Sequence, residues 1–250
     1  MPVLKYSIFN KLGFWIAVLI VIIVIFLYKD SYENTENQSD KIVWNFNWDS
    51  KGILSKGEAK VRNVKSFVFV RHGHYNRQSG RLTKMGREQA EGAGKYLKQM
   101  RMKFKAIYSS SSIRAQETAQ IIHQYLPKIP FYDDDLLKEG LPDKPSPTQG
   151  NWNFSSEVYE KHIPRFESAF KKYMHRADIG EDRNFYILVA HGNIIRYFLL
   201  KVLQLNTRAW MRLMLPHASI TLIHINPDGT VTATRIGMAG FLKPDLLTWT

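Results

Sequence analysis

Two apolar runs in this chain end in the same way. Phe67–Val70, within "SFVFVRHGHYN", runs straight into Arg71-His72-Gly73, and Phe185–Ala190, "FYILVA", runs straight into His191-Gly192. Each run has the length and composition of a strand buried on both faces, the pattern of parallel sheets covered by helices. Ionisable side chains at the end of a core element cost free energy unless a partner or ligand offsets it. The rest of the chain must therefore supply the covering helices and a reason for the charge.

The helices are legible. Thr83 is a suitable N-cap for "KMGREQAEGAGKYLKQM", which places Ala90, Ala93, Tyr96 and Leu97 on one face. "FKAIYSS" reads as a second strand. "SIRAQETAQIIHQYL" follows as a helix with Ala115, Ala119 and Ile122 turned inward, and Pro127 ends it. "DDDLLKEGLPDKPSPTQGN" has three prolines and two glycines and reads as a long irregular loop, a class that often carries function. "SSEVYEKHIPRFESAFKKYMHRA" is helical with an expected break at Pro164, and "NIIRYFLLKVL" is a helix directly after His191-Gly192. "SITLIHINPDGTVTATRIG" is a hairpin turning at Pro227-Asp228-Gly229. The alternation predicts an α/β fold over residues 61–250, a mostly parallel sheet sandwiched by helices.

In such sheets ligands bind at the carboxyl ends of the strands. That rule brings Arg71, His72 and His191 to one edge, and the second strand adds Ser110 and then Arg114 at a helix N-terminus after Ser112. Two arginines and two histidines at one edge make an oxyanion pocket, because each guanidinium is permanently charged and donates a bidentate fork. A neutral imidazole there can attack phosphorus and become a phosphohistidine. Arg71, Arg114 and a protonated His191 would damp the charge on the phosphoryl oxygens. The leaving alkoxide needs a proton, and Glu139, flanked by turn residues in the long loop, is the candidate donor, with Asp133–Asp135 as alternatives. His72, His74 and His191 could instead hold a metal, but no Asp/Glu-rich ligand cluster sits at either strand end and the arginines would repel a cation.

Ahead of this domain, Leu12–Tyr28 is a run of uncharged residues. As a helix it sits at the short end of what crosses a bilayer, and no small-residue cleavage site follows, so it is expected to be an uncleaved single-pass anchor within residues 1–29. Residues 30–41 read as a solvated linker within a 30–60 connecting segment. In "VWNFNWDSKG" the aromatics Trp44, Phe46 and Trp48 alternate with polar residues. They must pack either on the domain's own surface or on another subunit, and both readings stand.

The net charge of +13 lies in the domain, since residues 1–58 balance and residues 59–250 hold 29 basic against 16 acidic side chains. Such a domain attracts polyanions or phosphorylated substrates, and no zinc-finger or RNA-binding signature directs it to nucleic acid. With no cysteine in the chain, disulfides, Cys-ligated zinc, iron–sulfur clusters and Cys nucleophiles are excluded.

"VRHG", "LTKMGREQA", "SSSSIRAQETA", "LLKEG" and "VAHGNIIRYFL" occur in the order and spacing of the histidine phosphatase (phosphoglycerate mutase-like) superfamily, which the chain resembles from about Val64 to its final strand. Within it, the anchor, the loop "DLLKEGLPDKPSP" and "WNFNWD" at Trp44–Asp49 are similar to the mitochondrial, membrane-anchored protein serine/threonine phosphatases. The resemblance implies His72 as nucleophile, Arg71, Arg114 and His191 on the phosphate, and Glu139 as proton donor. It further implies no metal or organic cofactor, phosphoprotein substrates, a mitochondrial outer-membrane location, and homo-oligomers built through Trp44, Asn47, Trp48 and Asp49. Asn45 stands where that segment has aspartate. Two other readings remain: a membrane-tethered scaffold with a vestigial pocket, and a phosphatase of small phosphoesters.

Overall fold

A computed structural model describes residues 13–29, 43–55, 57, 63–148 and 154–249. The chain divides into two compact units between Trp44 and Asn45. The first holds a helix over residues 13–29 whose apolar side chains, from Phe14 to Tyr28, are almost all exposed. At 1.5 Å per residue it is about 25 Å long, against ~30 Å of bilayer hydrocarbon. Among the described residues no helix is long and apolar enough to cross a membrane. The single-pass span expected over 12–28 begins outside the described residues and is not shown by the helix over 13–29. The 30–41 linker lies outside the described residues.

The second unit is a three-layer α/β domain. Strand β1 (Lys65–Arg71) leads to helix α1 (Lys84–Gln99), β2 (Phe104–Ser110), α2 (Ile113–Tyr125) and β3 (Phe131–Asp134). After a loop come α3 (Ser156–Tyr173), β4 (Phe185–Ala190), α4 (Gly192–Val202), a 3-10 helix (Thr207–Arg212), and the hairpin β5 (Ile220–Ile225) and β6 (Val231–Met238). The sheet order is β3-β2-β4-β1-β5-β6. β3, β2, β4 and β1 are mutually parallel, whereas β5 runs antiparallel to β1 and β6 antiparallel to β5, so the sheet is mixed.

Alternation along the central strands builds the two helical layers. Phe67, Phe69, Leu188 and Ala190 join Phe166 and Phe170 of α3 and Phe198 of α4 in one core. Val68, Val70, Ile187 and Val189 face the other way, onto Ala93 and Leu97 of α1 and Ala119 and Ile122 of α2. Both clusters are dry, which is why β1 and β4 read as unbroken apolar runs. Thr83 caps α1 as expected, its side chain accepting from Gly86 N at 3.1 Å.

Two local expectations change. α3 runs unbroken through Pro164; proline deletes one N–H in the ladder, and the buried Phe166, Ala169 and Phe170 that follow it hold the helix to the core. The loop assigned from Asp133 begins instead with the edge strand β3 and a 3-10 helix, Asp135–Leu137, which Asp134 caps by accepting from Leu136 N at 2.9 Å.

The aromatic segment packs on its own unit. The Trp48 indole donates to Gly229 O at 2.7 Å and its ring lies 6.1 Å from that of Phe170. Asp49 pairs with Arg176 with both side chains fully buried, and Asn47 Oδ1 accepts from Gly52 N at 2.7 Å. Of the two readings left open, packing on the domain's own surface describes Trp48 and Asp49, while Asn47 is exposed and bonds within its own segment; Trp44 falls at the end of the first unit.

Candidate active site

Register places the two histidines side by side. In the parallel β1–β4 ladder Val70 pairs with Val189 and Arg71 with Ala190, so His72 and His191 leave the sheet as neighbours. Their ring centroids are 5.0 Å apart. β2, on the other side of β4, ends at Ser110, whose hydroxyl lies 2.8 Å from His191 Nε2. The next turn starts α2 and presents Arg114, whose Nε donates to His72 Nε2 at 3.2 Å.

These contacts fix the state of His72. Nδ1 lies 2.8 Å from Gly73 O, an acceptor, so Nδ1 carries the proton and Nε2 presents a lone pair, the form that accepts from Arg114. Burial, then His191, Arg71 and Arg114, hold this imidazole well below the usual histidine value. It is neutral at pH 7. The loop carrying it is pressed against α1 with no spare volume: a Cβ on Gly73 would stand 2.4 Å from Gly86 O, and one on Gly86 would stand 1.9 Å from His74 O.

Arg71 is half-buried, and desolvation lowers its guanidinium to about 10, which leaves it charged. Nη1 donates to the carbonyls of Leu215 and Trp249, and Nη2 lies 3.2 Å from His217 Nε2. Its Nε has no partner, and neither has His191 Nδ1. Two buried, unpaired polar atoms in one cationic pocket mark a place for an anion. His191 differs from expectation. Desolvation, then Arg114 and Arg71, hold it well below its usual value, so in this pocket it is neutral rather than protonated.

Glu139 reaches the site from the segment after β3. Its Oε1 accepts from Gly140 N at 3.3 Å and its Oε2 from Asn193 N, in the first turn of α4, at 3.5 Å. Burial pushes its carboxyl up, against the opposing pull of those N–H groups, Arg71 and Arg114. The alternative carboxylates are engaged elsewhere: Asp133 accepts from Gln116, Asp134 from Lys172 and Tyr173, and Asp135 from Ser111. The site thus holds an unprotonated imidazole nitrogen, permanent cations, and a carboxyl biased toward its acid form. That set can capture an oxyanion, attack it and protonate a leaving group.

Sequence reasoning missed four neighbours. Tyr75 stacks under Arg114, 4.7 Å from ring centre to Cζ, and packs edge-on against His72. Thr118 Oγ1 accepts from Gly73 N at 3.0 Å. Arg165 of α3 donates to the carbonyls of Leu136, Lys138 and Glu139 and so grips the acid-bearing segment. His217 arrives because β5 is antiparallel to β1, so the residues before β5 lie at the carboxyl end of β1. The hairpin signal at Ser219–Gly237 could have pointed to it.

A family model for the histidine phosphatase superfamily (branch 1) matches residues 67–236. Over 231 residues the chain is 36% identical to the mitochondrial serine/threonine-protein phosphatase PGAM5 of Mus musculus, covering 82% of this chain and 80% of that protein. It is 37% identical over 202 residues to the mitochondrial serine/threonine-protein phosphatase Pgam5 of Drosophila yakuba, covering 76% of this chain and 69% of that one. Among solved structures, the phosphoglycerate mutase of Plasmodium falciparum superposes with a TM-score of 0.52 at 30% identity, over 71% of this chain and 92% of its own.

Proposed function

Since the chain belongs to the histidine phosphatase superfamily, we propose that it hydrolyses phosphoserine and phosphothreonine on proteins through a phosphohistidine. The observation that carries the mechanism is the pinned tautomer of His72, whose Nε2 lone pair lies among cations. In the first step Nε2 attacks phosphorus, the P–O bond to the side chain breaks, and the Glu139 carboxyl gives its proton to the departing oxygen. In the second step the Glu139 carboxylate takes a proton from water, the oxygen attacks phosphorus, and the P–N bond breaks to release phosphate.

Arg71 and Arg114 hold the phosphoryl oxygens through both steps, and Arg114 turns its Nε from His72 to the substrate as the phosphate enters. His191 starts neutral; a dianion beside it favours the protonated ring, which then donates from Nδ1. Protein substrates and a mitochondrial location are supported by the relatives' names. Self-association through Trp44, Asn47, Trp48 and Asp49 stays a proposal from the resemblance, beside the observed packing of the last two on their own unit.

The experiment is phosphate release from a phosphothreonine peptide by the full chain and by His72→Ala. The wild-type protein turns over and the variant does not, with acid-labile phosphate trapped only on the former. Equal rates would remove His72 from the reaction. No release by the wild type, with partner binding intact, would favour the scaffold reading, and faster turnover of a sugar phosphate than of the peptide would favour small phosphoesters.

A further inference from the structure

Arg71 is held by an unusual set of partners. Of its five N–H groups, two on Nη1 go to the Leu215 and Trp249 carbonyls and one on Nη2 goes to His217. What remains unpaired is Nε–H and one N–H of Nη2, and Nε with Nη2 forms the side edge of the guanidinium, one of the two forks that take a tetrahedral oxyanion in a bidentate grip. Which edge faces the pocket therefore depends on His217 accepting at Nε2.

An arginine has no acceptor, so His217 Nε2 must be a lone pair and the ring proton must sit on Nδ1. Nδ1 lies 2.9 Å from Thr248 Oγ1, which must then accept. The same oxygen receives Gln89 Nε2 at 2.9 Å, and Gln89 cannot be turned over, because its Oε1 accepts from His74 N at 2.7 Å. His217 and Gln89 are both fully buried. Ala218, next to His217, sits at φ 55°, a strained conformation for a residue with a side chain, held by its N–H to His72 O at 3.2 Å. His217 N donates to Thr248 O at 2.8 Å. A polar chain thus runs Arg71–His217–Thr248–Gln89–His74, joining β1, α1, the start of β5 and the C-terminal segment.

We propose that His217 and Thr248 are a positioning pair: Thr248 sets the proton of His217 on Nδ1, and His217 Nε2 then turns the Nε/Nη2 edge of Arg71 toward the phosphate. Neither touches substrate. The pair deepens the phosphatase reading and rests on it for the identity of the anion. Burial, then the nearby Arg71, lowers the His217 ring to about 3, so the neutral form that the pair requires persists across the working range.

The test uses the full chain and the variants Thr248→Val and Thr248→Ser. Valine keeps the shape but leaves Nδ1–H without an acceptor, so the ring proton moves to Nε2 and faces the donors of Arg71. Inorganic phosphate affinity should fall about tenfold in Thr248→Val and stay within about twofold of wild type in Thr248→Ser. On a phosphopeptide kcat/KM should follow phosphate affinity, while the melting temperatures of the two variants stay close to each other. Nitrogen-15 NMR of the imidazoles should show Nδ1–H for His217 in the wild type and Nε2–H in Thr248→Val. His217→Gln, whose Oε1 accepts where Nε2 did, should bind phosphate and make Thr248→Val silent, which also serves if the valine variant alone fails to fold.

Wild-type phosphate affinity in Thr248→Val, equal losses in both Thr248 variants, or an Nε2–H ring in the wild type would each overturn the proposal. A wild type that neither binds nor releases phosphate overturns the phosphatase reading instead. The pair then stands or falls on the ring proton and its response to Thr248→Val.

Discussion

Replacing Asp49 by asparagine tests what the aromatic segment is for. Both side chains of the Asp49–Arg176 pair are fully buried. Asp49 accepts from Arg176 N and Nε at 2.9 Å each, and from Nη2, and a further N–H from Lys51 reaches it at 3.2 Å. Burial pushes the Asp49 carboxyl up, but the bonds from Arg176 and Lys51 outweigh it and leave the carboxyl below its usual value. Removing the charge strands a guanidinium with no water beside it, and one-sided loss of a buried pair costs about 3–5 kcal/mol. In a domain of this size that is roughly 6–20 °C of melting temperature. Thermal and urea unfolding of the full chain at pH 7 measures it. Because the folded carboxyl is depressed, its contribution is present above the unfolded value near 3.8 and is lost as pH falls through the folded one, so wild type and variant should converge in acid. The double variant Asp49→Leu/Arg176→Met should recover most of the loss. A loss under about 1 kcal/mol would refute the reasoning. A loss that shrinks as protein concentration rises would show that a second copy makes the contact.

The proposed roles fix the pH profile: His72 must be neutral and its value is lowered, while Glu139 must be protonated and its value is raised. The acid limb of phosphopeptide kcat/KM therefore lies below pH 6.5 and the alkaline limb above pH 4.5; Glu139→Gln should remove the alkaline limb and slow turnover about 10²–10⁴-fold, and an unchanged profile would clear Glu139 of the role. Arg165→Ala releases three carbonyls of the segment carrying Glu139, so kcat should fall about 10–100-fold with KM little changed; equal kcat in a steady-state assay would refute the grip. Gly86→Ala drives a Cβ to 1.9 Å from His74 O, which should cost about 1–3 kcal/mol in urea unfolding and displace His72, seen as lost turnover.

What the sequence revealed was what is local. The strands β1 and β4 announce themselves because both of their faces are dry, and His72 and His191 because each follows such a strand. Ala90, Ala93, Ala115 and Ala119 mark the faces on which α1 and α2 pack, and all four are fully buried. β3 was lost because four residues with two aspartates carry no apolar period, and only pairing with β2 holds them extended. That His191 rests neutral before an anion arrives is not legible in sequence, because burial, which decides it, is a property of the assembled pocket. Only the hairpin hinted at His217, and nothing at Arg165, since their partners lie 146 and 26–29 residues away in the chain.

A deeper reason concerns arginine itself. Away from the site, Arg176 answers Asp49, and Arg81 and Arg87 answer Glu117, so those cations are neutralised where they stand. At the site the pattern reverses. Arg71 is held by the carbonyls of Leu215 and Trp249, Arg165 by those of Leu136, Lys138 and Glu139, and Arg196 by the carbonyl of Leu213 and the side-chain oxygen of Asn193. Carbonyl dipoles orient a guanidinium without cancelling its charge, and the buried carboxyl beside them, Glu139, is biased toward its neutral form. The pocket therefore keeps its positive field for an incoming dianion, which is what offsets the price of charge at the end of a core strand. A one-letter code distinguishes Arg71 from Arg176 only by what precedes them; their partners, one set backbone and the other carboxylate, separate a binding cation from a structural one, and every backbone carbonyl looks alike in sequence.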